Sequence, residues 1–346
     1  MKLGDIMTDL LGLTLGEMAD FFLANGFKKF NAAQVFDWIY VKKARSFAEM
    51  TNLSKELRQF LETNASIRRF DVRQQQVSSD GTRKFLFGLS DGVSIETVLM
   101  IQDYGMSLCV SSQVGCNMGC SFCASGLKKK QRDLTSGEMV AQILTAEDVA
   151  LTKITHVVVM GTGEPFDNYD NVIRFIRIIN ETKGLAIGQR HITVSTSGIV
   201  PKILQYADEP IRSNLAISLH APNDELRTRL MKINKSYPLA EIIQACRIYF
   251  EKTSRRVTFE YLLIKGVNDT LELADELSDL IRGLNAYVNL IPYNPVHEFT
   301  YERTDMNRAM TFLDRLMKRG IAATLRKEQG GDIDAACGQL RLKADS

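Results

Sequence analysis

Apolar residues recur along this chain in two rhythms, and the change of rhythm divides it. Through about the first 70 residues the spacing is helical. Leu10, Leu11, Leu13 and Leu15 lead into Met18, Phe21, Phe22 and Leu23. A second stripe runs through Ala33, Val35, Phe36, Trp38 and Ile39, and a third gathers Leu53, Leu57, Phe60 and Leu61. Gly26 separates the first two. A small helical accessory domain over 1–75 is expected, its stripes turned to a core. Residues 82–89 and 93–100 then alternate in strand fashion across Asp91-Gly92, predicting a β-hairpin within a connector of residues 76–104.

From 105 to 346 strands and helices interleave. Strands are expected at 107–113, 155–161, 191–197, 214–220, 256–264 and 287–293. Amphipathic helical stretches separate them, one opened by a capping box from Thr135 to Glu138. Six β-α units in a row imply parallel strands covered by helices. Small or polar residues end each of five strands: Gln113-Val114-Gly115, Gly161 to Glu164, Ser195 to Gly198, Ser218 to His220 and Ile291 to Asn294. A barrel gathers all such ends around one mouth, whereas an open doubly wound sheet uses only those at its switch point. The expected fold is α/β, a partial (β/α)6 TIM-like barrel with an N-terminal helical domain.

Composition narrows the class without naming it. The chain has 346 residues, 45% hydrophobic and 24% charged, as an ordinary soluble globular protein does. Its first residues carry Asp5, Asp9, Glu17 and Asp20, unlike a secretory leader or a spanning segment, so a cytoplasmic protein without a membrane partner is expected. A net charge of +2 does not announce a nucleic-acid binder. Basic pairs such as Lys28-Lys29, Lys42-Lys43 and Arg68-Arg69, and the run Lys128 to Lys130, read singly as solvated surface.

Six cysteines change the picture, because three of them, Cys116, Cys120 and Cys123, fall within eight residues. On a glycine-containing loop after a strand they point to metal or redox chemistry rather than to a disulfide framework. A structural zinc site would want a fourth ligand, and none stands at zinc-like spacing downstream. Three thiolates suit a [4Fe–4S] cluster with one iron left open. The spacing C-x3-C-x2-C, with Phe122 before the last cysteine and Gly161-Thr162-Gly163-Glu164-Pro165 after the next strand, resembles the radical S-adenosylmethionine signature. The Glu164 carboxylate then stands about where a methionine ammonium needs a partner. Cys246, inside an apolar helical stripe, reads as a small buried hydrophobe.

Two further runs make the resemblance specific. Ser107 to Cys116 and Asp332 to Leu340 look like those of the adenine-C2 methyltransferases of ribosomal and transfer RNA, the RlmN type, whose relatives are the adenine-C8 enzymes of the Cfr type. The likeness covers nearly the whole chain, including Phe30 to Tyr40, Ser79 to Thr82, Ile95 to Val98, Ser218 to Asn223 and Asn289 to Asn294. It implies that Cys116, Cys120 and Cys123 hold the cluster. It implies that Gly163, Glu164, Ser195, Ser218, Leu219, His220 and Asn294 bind S-adenosylmethionine, two molecules per turnover. Cys337 resembles the cysteine that is itself methylated, Cys109 its resolving partner through a transient disulfide, and Glu96 the proton acceptor.

The implied substrates are 23S rRNA and tRNA, next to the anticodon in the latter. The implied partners are a flavodoxin-like one-electron reductant and a thiol reductant, and a monomer is expected. With RNA as substrate, the helical domain and the Lys128–Lys130 loop become candidate backbone contacts. Methylation at C8, another radical reaction such as peptide maturation, and a zinc-binding RNA module are the alternatives. Thr162 stands where relatives often carry Met, and the tail after Leu340 is short.

Overall fold

The structure, a computed structural model, describes residues 7–335 and residue 339. Its helical segment is tied at both ends by a short parallel bridge, β1 (Thr8–Asp9) with β2 (Ala65–Ser66). Between them lie α1 (Leu15–Ala24), α2 (Phe30–Tyr40) and α3 (Lys55–Asn64). A capping box starts α1, the Thr14 hydroxyl accepting from Glu17 N–H while the Glu17 carboxylate accepts from Thr14 N–H.

Four antiparallel strands follow: β3 (Asp71–Val77), β4 (Arg83–Gly88), β5 (Ser94–Gln102) and β6 (Gly105–Cys109). The expected hairpin over 82–89 and 93–100 is present as β4 and β5, and its strands belong to the main sheet. The meander continues directly into the parallel strands, giving one sheet of order β14-β13-β12-β11-β10-β9-β6-β5-β4-β3 among the described residues. Its edge strand β3 is almost wholly exposed and reads DVRQQQV, so no apolar alternation marks it.

A two-stranded ribbon, β7 (Gln113–Val114) with β8 (Arg132–Asp133), flanks the cysteine loop. The β-α alternation then runs through α4 (Ser136–Ala150), β9 (His156–Val159), α5 (Tyr169–Asn180), β10 (Ile192–Thr196), α6 (Val200–Asp208) and β11 (Asn214–Ser218). It ends with α7 (Asp224–Leu230), α8 (Leu239–Thr253), β12 (Val257–Leu263), α9 (Leu271–Leu280), β13 (Ala286–Pro292), α10 (Met306–Lys318) and β14 (Ala323–Leu325). The six expected parallel strands are present, and β14 adds a short seventh beside β13.

Register shows which side chains share a face. Val98 pairs with Cys109, Cys109 with Val158, Ser218 with Glu260, and Glu260 with Asn289. Residues from β5, β9, β10, β12, β13 and β14 line one common cavity, so the sheet curls around its polar concave face. Helices cover the convex face. On α5, Val172, Ile173, Phe175, Ile176, Ile178 and Ile179 are buried, while Asp170 and Arg174 face outward.

Helix α4 is different, with buried residues at almost every position from Ser136 to Glu147. One side packs on the sheet and the other receives the helical segment, where Ser136 Oγ donates to the Gly12 carbonyl at 3.1 Å. Leu10, Phe22, Phe36 and Leu57 therefore belong to the same continuous core as Val140, Val194 and Leu290. The segment expected as an accessory domain has no core of its own. Among the described residues no helix is long and apolar enough to cross a membrane.

Candidate active site

The cysteine loop is shaped by its backbone. Gly115 has φ +78°, and a Cβ there would lie 2.3 Å from the Lys129 carbonyl oxygen, so only glycine lets the loop double back. Cys116 N–H donates to the Lys128 carbonyl at 3.1 Å, and Ser121 N–H donates to the Leu230 carbonyl at 2.9 Å, tying the loop to α7. Cys116, Cys120 and Cys123 come to one pocket with Gly163, Glu164, Ser195, Ser218 and His220. Desolvation, then the neighbouring thiols Cys123 and Cys116, hold the Cys120 thiol well above its ordinary range, and desolvation pushes Cys116 up to about 11.

Among the described residues no three His, Cys, Asp or Glu side chains converge tightly enough to hold one metal ion. Three soft thiols spread around one pocket instead fit a cuboidal iron–sulfur cluster, whose ligands bind different iron atoms. The polar wall beyond them supplies acceptors and donors for a second group.

Glu164 anchors that wall. It is 3% exposed, its Oε1 accepting from Phe166 N–H at 3.0 Å and its Oε2 from Ser197 N–H at 2.7 Å. Desolvation raises its pKa against those hydrogen bonds. Gly163, at φ +114°, could not carry a Cβ, which would meet Gln113 Cβ and Ser112 Oγ at 2.7 Å. Ser195 and Ser218 approach each other at 3.4 Å between their hydroxyl oxygens.

His220 sits at φ +60°, and its Nδ1 accepts from Leu262 N–H at 3.0 Å. Burial, helped by the Arg227 charge, depresses its pKa to about 3. It is therefore neutral near pH 7, with the proton on Nε2. Leu219 is placed differently from its neighbours. Its side chain is in the hydrophobic core, its N–H donates to the Glu260 carbonyl, and its own carbonyl accepts from Arg227.

Of the remaining expected residues, Cys109 and Asn294 border a cavity that shares Cys123 with this pocket, and Glu96 lies apart from both. Cys109, at the end of β6, lines a second cavity with Cys123, Met160, Gly161, Asn294 and Ala335. Glu96 lies on β5 on the same concave face, 3% exposed, with Lys84 Nζ 3.0 Å from its carboxylate. Cys337 lies outside the described residues. On one side of it Ala335 packs with Val98, Met100 and Cys109, and on the other Gln339 Nε2 donates to the Pro295 carbonyl at 3.0 Å.

Sequence reasoning missed Arg227. This fully buried side chain on α7 donates to the carbonyls of Ser197 at 2.6 Å, Ser218 at 3.2 Å and Leu219 at 3.2 Å, and to Asn234 Oδ1 at 2.8 Å. It fastens the ends of β10 and β11 to one another, yet either arginine in DELRTRL reads as surface charge. Arg227→Met is expected to destabilise the chain by about 3 kcal/mol, because several buried carbonyls lose their donor. Denaturant unfolding of the cluster-free protein measures this, and a loss under about 0.5 kcal/mol would contradict it.

The basic runs are partly committed within the molecule. Lys130 bridges Asp133 and Asp167, each at 2.8 Å, whereas Lys128 and Lys129 are exposed. Lys43 pairs with Glu147, and Arg45 and Arg69 with Asp148, so these cations hold the helical segment to α4. Cys246 is fully buried, as a small hydrophobe would be.

This thiol loop at the mouth of a partial barrel, facing a glycine–carboxylate turn, defines a radical S-adenosylmethionine enzyme. Residues 110–277 match the model of the Radical SAM superfamily, whose members use S-adenosylmethionine with a [4Fe–4S] cluster. Residues 8–67 match the Ribosomal RNA large subunit methyltransferase N-terminal domain. The chain is 55% identical to a probable dual-specificity RNA methyltransferase RlmN of Enterococcus faecalis, covering 96% of each chain. It is 54% identical to the protein of the same description from Geobacillus thermodenitrificans, over 97% of this chain and 93% of that one. The crystal structure of a radical SAM methyltransferase from Sphaerobacter thermophilus superposes with a TM-score of 0.93 at 47% identity, covering 97% of this chain and 99% of that one. The chain belongs to the RlmN family of radical SAM RNA methyltransferases.

Proposed function

We propose that this enzyme methylates C2 of adenosine in 23S rRNA, and in tRNA next to the anticodon, with Cys337 as the methyl carrier and Cys109 as the group that releases the product. The observation that carries the reading is the seat of Ala335. Two residues before Cys337, it shares a small buried cluster with Cys109, Val98 and Met100, and it lines the same cavity as Cys109, Cys123 and Asn294.

C2 of adenine lies between two ring nitrogens and is electron-poor, so it cannot displace a methyl from a sulfonium. A thiolate can, and Cys337 takes the methyl from a first S-adenosylmethionine by displacement. The cluster, held by Cys116, Cys120 and Cys123, supplies with a second S-adenosylmethionine the one-electron chemistry that removes hydrogen from an unactivated methyl group. Glu164, Ser195, Ser218 and the Nε2–H of His220 line the pocket that orients the cofactor, Gly163 gives its backbone close approach, and Asn294 borders the neighbouring cavity.

Once the Cys337 methyl carbon is joined to C2, Glu96 takes the proton that C2 must lose. Cys109 Sγ then attacks the Cys337 sulfur, and the bond from that sulfur to the RNA-bound carbon breaks with its electron pair going to the carbon side. That carbon takes up a proton to become the methyl group, and a Cys109–Cys337 disulfide remains. In a reducing compartment this disulfide is a transient one, reopened by an external thiol reductant, while a flavodoxin-like donor provides the electrons. The target base must leave its stack to reach the mouth, since stacking hides C2.

Anaerobic turnover with methyl-labelled S-adenosylmethionine on ribosomal RNA tests this. The wild type is expected to yield 2-methyladenosine by mass spectrometry, and Cys337→Ala none. Label at C8, or an active Cys337→Ala enzyme, would overturn the assignment.

A further inference from the structure

The turn between β3 and β4 is held by its own hydrogen bonds. Ser78 N–H donates to the Thr82 carbonyl at 2.8 Å, and Thr82 N–H donates to Asp80 Oδ1 at 2.8 Å. It also holds something else. Ser78 Oγ donates to Asp332 Oδ1 at 2.5 Å, and Ser79 N–H donates to Asp332 Oδ2 at 3.1 Å. In the opposite direction, Gly330 N–H donates to Asp80 Oδ2 at 3.0 Å. Each side of this contact offers a carboxylate and receives one, across some 250 residues of sequence.

Two more attachments extend the contact. Gln329 Nε2 donates to the Ile101 carbonyl at 2.9 Å, and Gln102 Nε2 donates to Gln329 Oε1 at 2.8 Å. Lys84 Nζ donates to the Asp334 carbonyl at 3.2 Å while it pairs with Glu96 at 3.0 Å. The segment itself is compact, with Ile333 and Ala335 N–H both donating to the Gly330 carbonyl. Gly330 at φ +64° has no room for a Cβ, which would lie 2.8 Å from Ala335 and 2.9 Å from Thr82.

We propose that the Ser78–Thr82 turn together with Lys84 is a docking clasp for residues 329–335, a set of positioning residues that fixes the approach of Cys337 to Cys109. This rests on the reading of Cys337 as methyl carrier. Cys337 is three residues beyond Asp334, a reach of at most about 10 Å from the Lys84 contact. Lys84 thus links the carboxylate assigned to proton removal with the segment that brings the carbon to be transferred.

The clasp is built to open. Ser79, Asp80 and Asp332 are exposed, so water competes for their bonds, and each is individually weak. Cys337 must serve two stations, first accepting a methyl and then presenting it to a base. Half of the contact is exposed and half, at Ser78, Lys84 and Ala335, is buried, so the segment is held in place without being locked into the core.

The test uses the full chain carrying its cluster. Asp332→Ala removes both acceptors of Ser78 and Ser79, Asp332→Asn keeps one, and Ser78→Ala removes a single hydroxyl. Iron content and thermal midpoint are expected to stay at wild-type values. Alkylation of Cys337 by iodoacetamide, read by peptide mass spectrometry, is expected to rise about tenfold in Asp332→Ala and about threefold in the other two. Methyl loading of Cys337 from labelled S-adenosylmethionine, without RNA, is expected to slow in the same order, and exchange of the Ser79 amide to quicken. Unchanged alkylation and exchange in Asp332→Ala would overturn the clasp. A wild type that methylates no RNA would instead refute the function, since the alkylation and exchange measurements need no substrate.

Discussion

Replacing Cys109 by alanine is expected to halt the enzyme after one round, with protein covalently attached to RNA. Cys109 lies in one buried cluster with Ala335, at the end of β6 and facing the cavity it shares with Cys123 and Asn294. In the proposed mechanism the bond between the Cys337 sulfur and the RNA-bound carbon then has no nucleophile to open it. Multiple-turnover methylation should fall by on the order of 10³ or more, while S-adenosylmethionine is still consumed in the first round. The fold should scarcely notice, because deleting one sulfur atom from a small apolar cluster costs only about 1 kcal/mol. A denaturing gel of labelled RNA reads the adduct directly. Free methylated RNA appearing at the wild-type rate would remove Cys109 from the mechanism.

Cys120→Ala is expected to have an equally large effect at the other end of the reaction. Desolvation and the neighbouring thiols hold the Cys120 thiol well above its ordinary range, so it stays neutral in the empty protein and serves as a ligand only once it has lost its proton. Removing it leaves Cys116 and Cys123, too few thiolates to keep a cluster with three protein ligands. Iron content after anaerobic reconstitution should fall to near background, and reductive cleavage of S-adenosylmethionine by on the order of 10³ or more. Unfolding of the cluster-free chain should shift by about 1 kcal/mol or less. A variant that kept full iron and activity would mean that the cluster is held elsewhere.

Much of this architecture is legible in the sequence because apolar burial leaves a period. Strands expected at 155–161, 191–197 and 214–220 are found as His156–Val159, Ile192–Thr196 and Asn214–Ser218, where a buried parallel strand requires a short apolar run. The missing pieces lack such a signal. Strand β3 is a polar edge, β14 has three residues, and α7, with seven, is too short for a stripe to repeat. The three cysteines and the Gly163-Glu164 turn could be read because chemistry demands those residue types at that spacing. Arg227 and Asn268 could not. Asn268 Nδ2 donates to the His220 carbonyl at 2.8 Å, and its Oδ1 accepts from Ile264 N–H at 2.7 Å. Both residues act on backbone carbonyls and amides, whose positions exist only after folding. Leu219 shows the converse, since adjacency to Ser218 and His220 along the chain says nothing about which face its side chain takes.

Helix α4 joins two segments that match different family descriptions, residues 8–67 and residues 110–277. Because both of its faces are covered, neither segment carries a surface that water would accept if the other were taken away. The two regions are thus units of descent without being units of assembly. Any transplant of the N-terminal helices onto another barrel would succeed only if the outward face of α4 travelled with them.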